Sequence, residues 1–202
     1  VPPRIRIGAD ERADIIDAAY ACLSSPHEGP VSVAAILDTA GLSTRAFYRH
    51  FSSKDELLLA MLKRDSDAVA RRLARLAEDT QGGPAAQLRA WIDYFLGLAY
   101  DPRRRPHIVV LDSDEVRLAK GYRQTSAELR ADRERIIADI LRRGRDDGSF
   151  PLAEPERDAA AINALVERAF AAPLQGVGLD QERLVGYVLD FALRALGSTR
   201  PR

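Results

Sequence analysis

Apolar residues recur every third or fourth position along almost the whole chain, while alternating runs of Val, Ile, Thr or aromatic residues are nearly absent. That periodicity predicts an all-α fold. A first helix is expected from about Asp10 to Leu23, with Ile15, Ile16, Ala19, Tyr20 and Leu23 as its apolar stripe. The Ser-Ser-Pro-His-Glu-Gly-Pro stretch at 24–30 stops it. Ser32 offers an N-cap for a second helix to about Thr39, and after the Ala40-Gly41-Leu42 turn Ser43 caps a third that reaches about Phe51. Ser53-Lys54-Asp55-Glu56 has the capping-box pattern, in which the Ser and Glu side chains satisfy each other's backbone N–H groups. It opens a long fourth helix to about Asp79.

Gln81-Gly82-Gly83-Pro84 separates this helix from a fifth that carries Trp91, Tyr94, Phe95 and Leu98 and ends at Asp101-Pro102. A sixth is expected over Pro106 to Lys120 and a seventh over Tyr122 to Arg145. Two more follow, from Glu154 to Ala172 and from Gln181 to Leu196. The pattern therefore reads as about nine helices in two parts. A three-helix head with an N-terminal arm bearing Arg4 and Arg6 fills 1–52, and a helical bundle fills 53–202.

Composition narrows the function. With 46% hydrophobic residues in 202, the chain can bury a core. Its 30 Lys plus Arg balance 30 Asp plus Glu, which excludes a protein that coats nucleic acid through bulk positive charge but leaves a local basic face open. A single cysteine cannot form an intrachain disulfide, and the longest clean apolar run, Leu57 to Leu62, falls far short of the roughly 18 residues that cross a bilayer. A soluble cytoplasmic protein is expected, with no membrane partner. His27, His50 and His107 are far apart, and neither Cys-x-x-Cys nor His-Glu-x-x-His occurs. No metal, no cofactor and no enzyme chemistry are expected. Cys22 reads as a small buried hydrophobe.

The segment from Ser32 to Phe51 carries the function. Gly41 stands where a chain turning between two helices needs a residue that tolerates positive φ, and Leu42 follows as a plug. Phe47 and Phe51, four apart, face inward, which leaves Thr44, Arg45, Tyr48 and Arg49 on the opposite face. From Ser43 to Lys54 there is no Asp or Glu, whereas Arg45, Arg49 and Lys54 are positive. A helix-turn-helix facing double-stranded DNA fits this pattern, and an ordinary pair of core helices with a solvated basic face is the alternative. On the first reading Thr44 and Arg45 reach base edges. Tyr48, His50 and Lys54 hold phosphates, with Arg49 beside them, and Ser32 and Ser43 bring helix N-termini to the backbone.

Pro30-Val31-Ser32-Val33-Ala34-Ala35-Ile36, Ala40-Gly41-Leu42-Ser43 and Phe47-Tyr48-Arg49-His50-Phe51-Ser52-Ser53-Lys54-Asp55-Glu56-Leu57 together resemble the N-terminal domain of the TetR family of transcriptional regulators. The likeness covers about residues 10–62; Leu37 stands where the family usually has a smaller residue. It implies a DNA-binding head on a larger ligand-binding and dimerising body.

Two further sets of residues follow. Trp91, Tyr94, Phe95 and Leu98, with Met61, either form plain core or line an apolar cavity for a small-molecule effector. Asp112, Asp114 and Glu115 read as a solvated acidic helix face, the alternative being a cluster that receives a cationic effector if the sixth helix turns it inward. The last two helices are apolar around much of their circumference, so Ile162, Leu165, Val166, Phe170, Val185, Val188, Leu189 and Leu196 are candidates for a homodimer interface, the alternative being two central helices of a monomeric core. The expected function is a dimeric, ligand-responsive repressor on a near-palindromic operator. An activator with the same head, and an all-helical adaptor that does not bind DNA, are the alternatives.

Overall fold

A computed structural model of the chain describes residues 8–27, 29–174, 176 and 180–198; the arm residues Arg4 and Arg6 lie outside them. Among the described residues all regular structure is helical: α1 (Gly8–Ser24), α2 (Val33–Ala40), α3 (Thr44–His50), α4 (Lys54–Asp79), α5 (Gly83–Gly97), α6 (Arg105–Leu111), α7 (Asp114–Arg117), α8 (Tyr122–Asp146), α9 (Pro155–Leu174) and α10 (Gln181–Ala195). The stretch read from sequence as one sixth helix is broken into α6 and α7. Ser113 breaks it: its backbone is extended, with φ −66° and ψ 153°, and its hydroxyl donates to the Val110 carbonyl at 2.7 Å instead of continuing the ladder.

The chain packs as two compact units. One takes the chain up to Arg64 together with Pro106–Thr125, and the other takes Asp65–Arg105 and the chain from Ser126 onward. Lys54 to Arg64 and α6–α7 thus lie beyond residue 52 in sequence yet pack with the head.

In the first unit α1 buries Ile15, Ile16, Ala19 and Tyr20, α2 buries Ile36 and Leu37, and the start of α4 adds Leu57, Leu58 and Met61. Val110, Val116 and Ala119 close the same core from α6, α7 and the turn after it. Each Val, Leu, Ile or Met side chain among them contributes about 1.5–3 kcal/mol by leaving water. His107 of α6 stacks on Tyr20, with ring centroids 4.2 Å apart.

In the second unit α5 packs against α9 and α10. The Arg143 guanidinium of α8 donates to the Ala77 carbonyl of α4 at 3.1 Å and to Gln87 Oε1 of α5 at 2.9 Å. The side chain of Gln181, at the start of α10, donates to Asp93 of α5 at 3.0 Å. After α8 the chain folds back so that Phe150 covers Gly144, where any Cβ would stand 2.1 Å from the ring. Only glycine fits there.

Candidate nucleic-acid interface

The turn between α2 and α3 is built by its own sequence. Ser32 caps α2 by accepting from the Ala35 N–H at 3.1 Å, and Ser43 caps α3 by accepting from the Ala46 N–H at 3.2 Å. Gly41 adopts the left-handed conformation, φ 63° and ψ 35°. Its N–H reaches the Asp38 carbonyl at 3.3 Å while the Leu42 N–H reaches the Leu37 carbonyl at 3.0 Å. These two bonds form a Schellman motif, and a side chain at position 41 would strain it. Leu42 packs against the core as the plug expected between the helices, and Leu37 is itself buried there.

Phe47 and Phe51 anchor α3, their rings 5.7 Å apart and both buried. Anchoring that face turns the other outward. Thr44, Arg45, Tyr48 and Arg49 are exposed, and 64% of Tyr48 meets solvent although its ring edge rests on Phe47 at 5.4 Å. The structure thus brings four of the eight sequence-predicted contact residues onto one open face. Ser32 and Ser43 sit at the N-termini of the two helices, as expected, with their hydroxyls occupied by capping.

His50 and Lys54 are placed differently. His50 points back to α1, its Nε2 3.0 Å from Glu11 Oε2, and Arg49 Nη1 lies 3.2 Å from the same oxygen. One carboxylate therefore ties the end of α3 to α1. Lys54 Nζ is paired with Glu115 Oε1 of α7, and that oxygen also accepts from the Val31 N–H at 3.0 Å. Glu115 is thus mostly buried and joins the strand of chain before α2 to the first turn of α4; the acidic face read from sequence as solvated is turned inward at this residue. Asp112 stays outside, 3.4 Å from Arg117. Of the three cations between Ser43 and Lys54, Arg45 is the one without an ion pair among the described residues.

The start of α4 departs from the capping box by one residue. Ser53 accepts from the Glu56 N–H at 3.2 Å, but the Glu56 carboxylate accepts from the Ser52 hydroxyl and the Ser52 N–H, each at 2.7 Å. Those bonds hold the Glu56 carboxyl below its ordinary pKa, the hydroxyl contributing most. Cys22 is half-buried, not sealed in the core, with Sγ 3.3 Å from Thr39 Oγ1; it borders a cleft of about 460 Å³ between α1 and α2. No group of His, Cys, Asp and Glu suited to a metal ion occurs among the described residues.

The other predicted sets are divided between the units. Met61 belongs to the core of the first unit. In the second, Trp91 and Phe95 stack at 5.5 Å and Phe170 lies 5.1 Å from Phe95; Leu98 is buried and Tyr94 half-buried. Of the interface candidates, Ile162, Val166, Val185, Val188, Leu189 and Leu196 are buried within the second unit's own core, and Leu165 and Phe170 are half-buried. The large apolar side chains that α10 leaves outside are Tyr187 and Phe191, 67% and 54% exposed. Sequence reasoning missed both. Their i, i+4 spacing, which puts two rings on one side of the helix, would have revealed them.

Comparison with known proteins agrees with this geometry. Residues 15–61 match the family model of bacterial regulatory proteins of the tetR family. Over 92% of this chain and 91% of the other, the structure is similar to SmeT in a complex with triclosan, at 28% identity and a TM-score of 0.76. SmeT is the repressor of the Stenotrophomonas maltophilia multidrug efflux pump SmeDEF. The regulator FadR from Bacillus subtilis, in complex with stearoyl-CoA, shares the fold at 19% identity and a TM-score of 0.73, over 91% of this chain and 98% of its own. Reduced NemR of E. coli shares it at 19% and 0.73, over 96% and 100%.

Proposed function

We propose that the chain is a homodimeric repressor released from a near-palindromic operator by a small molecule, a reading supported by the match of residues 15–61 to the tetR family model and by the fold shared with SmeT. The observation that carries DNA reading is the open face of α3. Arg45, without an ion pair among the described residues, and an exposed Tyr48 lie one turn apart on a short helix whose other face is locked by Phe47 and Phe51. Arg45 and Thr44, at the N-terminal end of α3, read base edges; Tyr48 and Arg49 meet the phosphates, and the N-termini capped by Ser32 and Ser43 approach the backbone. His50 and Lys54 act from behind, holding α3 and α4 in place through Glu11 and Glu115. The first compact unit, which takes Lys54 to Arg64 and Pro106–Thr125 besides residues up to 52, forms the reading head, and the second receives the effector and makes the dimer.

Dimerisation uses the outward face of α9 and α10. Tyr187 and Phe191 lie on that face, and Ala160, Ala161 and Ala164 of α9 are also exposed and small enough for close helix approach. Two heads then read successive major grooves about 34–36 Å apart. The relatives support an effector and the repressor sign: SmeT is a repressor with a triclosan complex and FadR has one with stearoyl-CoA. A complete swing from the DNA-competent to the incompetent dimer requires the effector to prefer the second by about 5.5 kcal/mol.

Selection of binding sites from a random-sequence duplex library tests the reading. An inverted repeat that binds two chains, with affinity falling steeply as salt rises, is the expected result. Recovery of no enriched duplex at low salt overturns it.

A further inference from the structure

At the C-terminal end of α3 a cation on the open face shares its counter-charge with a group that titrates. Glu11 Oε2 of α1 lies 3.2 Å from Arg49 Nη1 and 3.0 Å from His50 Nε2. The three side chains meet solvent differently: Glu11 and His50 are 12% and 13% exposed, and Arg49 is 56% exposed. Packing therefore fixes the carboxylate and the imidazole, and the guanidinium is the member free to turn outward. Other charges near this end come from three helices. On α1, Arg12 stands with its guanidinium carbon 5.2 Å from the centre of the Phe51 ring, and Asp14 follows Glu11 by one turn. On α4, Glu56 is held by Ser52 and feels the charge of Arg12. The one charged side chain of α2, Asp38, belongs to the other end, where its carbonyl accepts from Gly41. Whatever the balance of these groups, a proton taken up by His50 raises it by one positive charge.

We infer that His50 is a proton-linked positioning residue for Arg49: once protonated it claims Glu11, releases Arg49 to a DNA phosphate and makes duplex binding tighten as pH falls. The inference rests on the reading of α3 as the DNA-facing helix and adds a regulation to it. Imidazole is the side chain that ordinarily changes charge between about pH 5 and 8. Because an ionised carboxylate only accepts, neutral His50 meets Glu11 with Nε2–H and leaves the negative charge to Arg49. Protonated His50 makes a charge-assisted bond, roughly twice as strong as a neutral one. Glu11 then has a fixed, mostly buried cation beside it, and the exposed guanidinium finds its better anion in a phosphate. The same coupling runs in reverse. A polyanion laid against α3 stabilises the imidazolium, so complex formation takes up as much as one proton per head, and affinity rises as pH falls through the imidazole range.

Fluorescence anisotropy of the full chain on a labelled duplex carrying the selected inverted repeat, at fixed salt between about pH 8 and about pH 6, tests this. Wild type should bind about threefold tighter per head at the acid end, about tenfold for a two-headed complex. His50→Gln keeps a donor toward Glu11 but takes up no proton; it should match wild type near pH 8 and gain less than about twofold on acidification. Replacing the other two histidines together, His27→Gln with His107→Gln, should keep the wild-type gain. Glu11→Gln frees Arg49 at every pH, so near pH 8 it should bind more tightly than wild type, with a salt dependence steeper by about one counterion per head. A residue that merely braced α1 against α3 would weaken binding at both ends of the range instead. His50→Gln and Glu11→Gln are read independently, each after its helix content is shown to match wild type. A flat wild-type profile, a gain that survives His50→Gln or vanishes in the double substitution, or weaker binding of Glu11→Gln near pH 8 overturns the inference and leaves the regulator standing. Absence of duplex binding at every pH strikes the regulator and the inference with it.

Discussion

Two helices of this protein turn aromatic rings outward, in opposite electrostatic settings. On α3, Tyr48 is 64% exposed between Arg45, which has no ion pair among the described residues, and Arg49, whose carboxylate partner Glu11 is shared with His50. On α10, Tyr187 and Phe191 are exposed beside Asp190 and Arg194, which pair with each other at 3.0 Å. Exposed ring area favours being covered in both places. What covers it follows from the charge left over: surplus cation beside an aromatic suits a polyanion, and a neutralised surround suits another apolar protein face.

The largest expected break in this comparison is Phe191→Glu. A carboxylate in the centre of the proposed pairing face should turn the dimer into a monomer in sedimentation velocity and weaken binding to a two-half-site duplex at least about 100-fold, because each head then binds alone. Helix content should stay unchanged, since Phe191 lies outside the core. A variant that still sediments as a dimer removes α10 from the interface.

Arg45→Ala comes next. It should cost about 1–3 kcal/mol of discrimination between the selected operator and a scrambled duplex, with binding to the scrambled duplex less affected. Equal losses on both duplexes, read by fluorescence anisotropy, would move Arg45 from the bases to the phosphates. Glu115→Gln separates two effects in one protein. Losing the partner of Lys54 and weakening the acceptor of the Val31 N–H should lower unfolding free energy by about 1–2 kcal/mol in urea. The freed Lys54 should also steepen the salt dependence of duplex binding by about one counterion per protomer.

The smallest effect concerns Glu56. Its folded carboxyl has a pKa below the unfolded one, so its stabilisation is present above the unfolded value and disappears as pH falls through the folded one. Wild type should exceed Glu56→Gln in thermal midpoint at neutral pH. The gap should close on the acid side of about pH 4.

Much of the head was legible because its devices are local. The serine caps, the left-handed Gly41 and the four-residue spacing of Phe47 and Phe51 act within one or two turns, where sequence order and spatial order coincide. Legibility failed where a distant partner intervened. Glu11 stands 39 residues before His50 and Glu115 61 residues after Lys54, so a window free of acids in sequence proved to have two of its three cations paired in space. The break at Ser113 escaped for another reason: apolar spacing continues across it, and only the extended backbone there reveals two helices.

For this protein, then, the amino-acid order by itself determined an all-helical chain, the turn geometry between α2 and α3, and which side of α3 faces out, because backbone propensity, capping and amphipathic spacing are short-range. Tertiary structure decided which cations remain unpaired, and which apolar residues of α9 and α10 serve their own core and which face outward. Those properties depend on what packs against a residue from elsewhere in the chain, and burial and pairing are the terms that set both its charge and its availability.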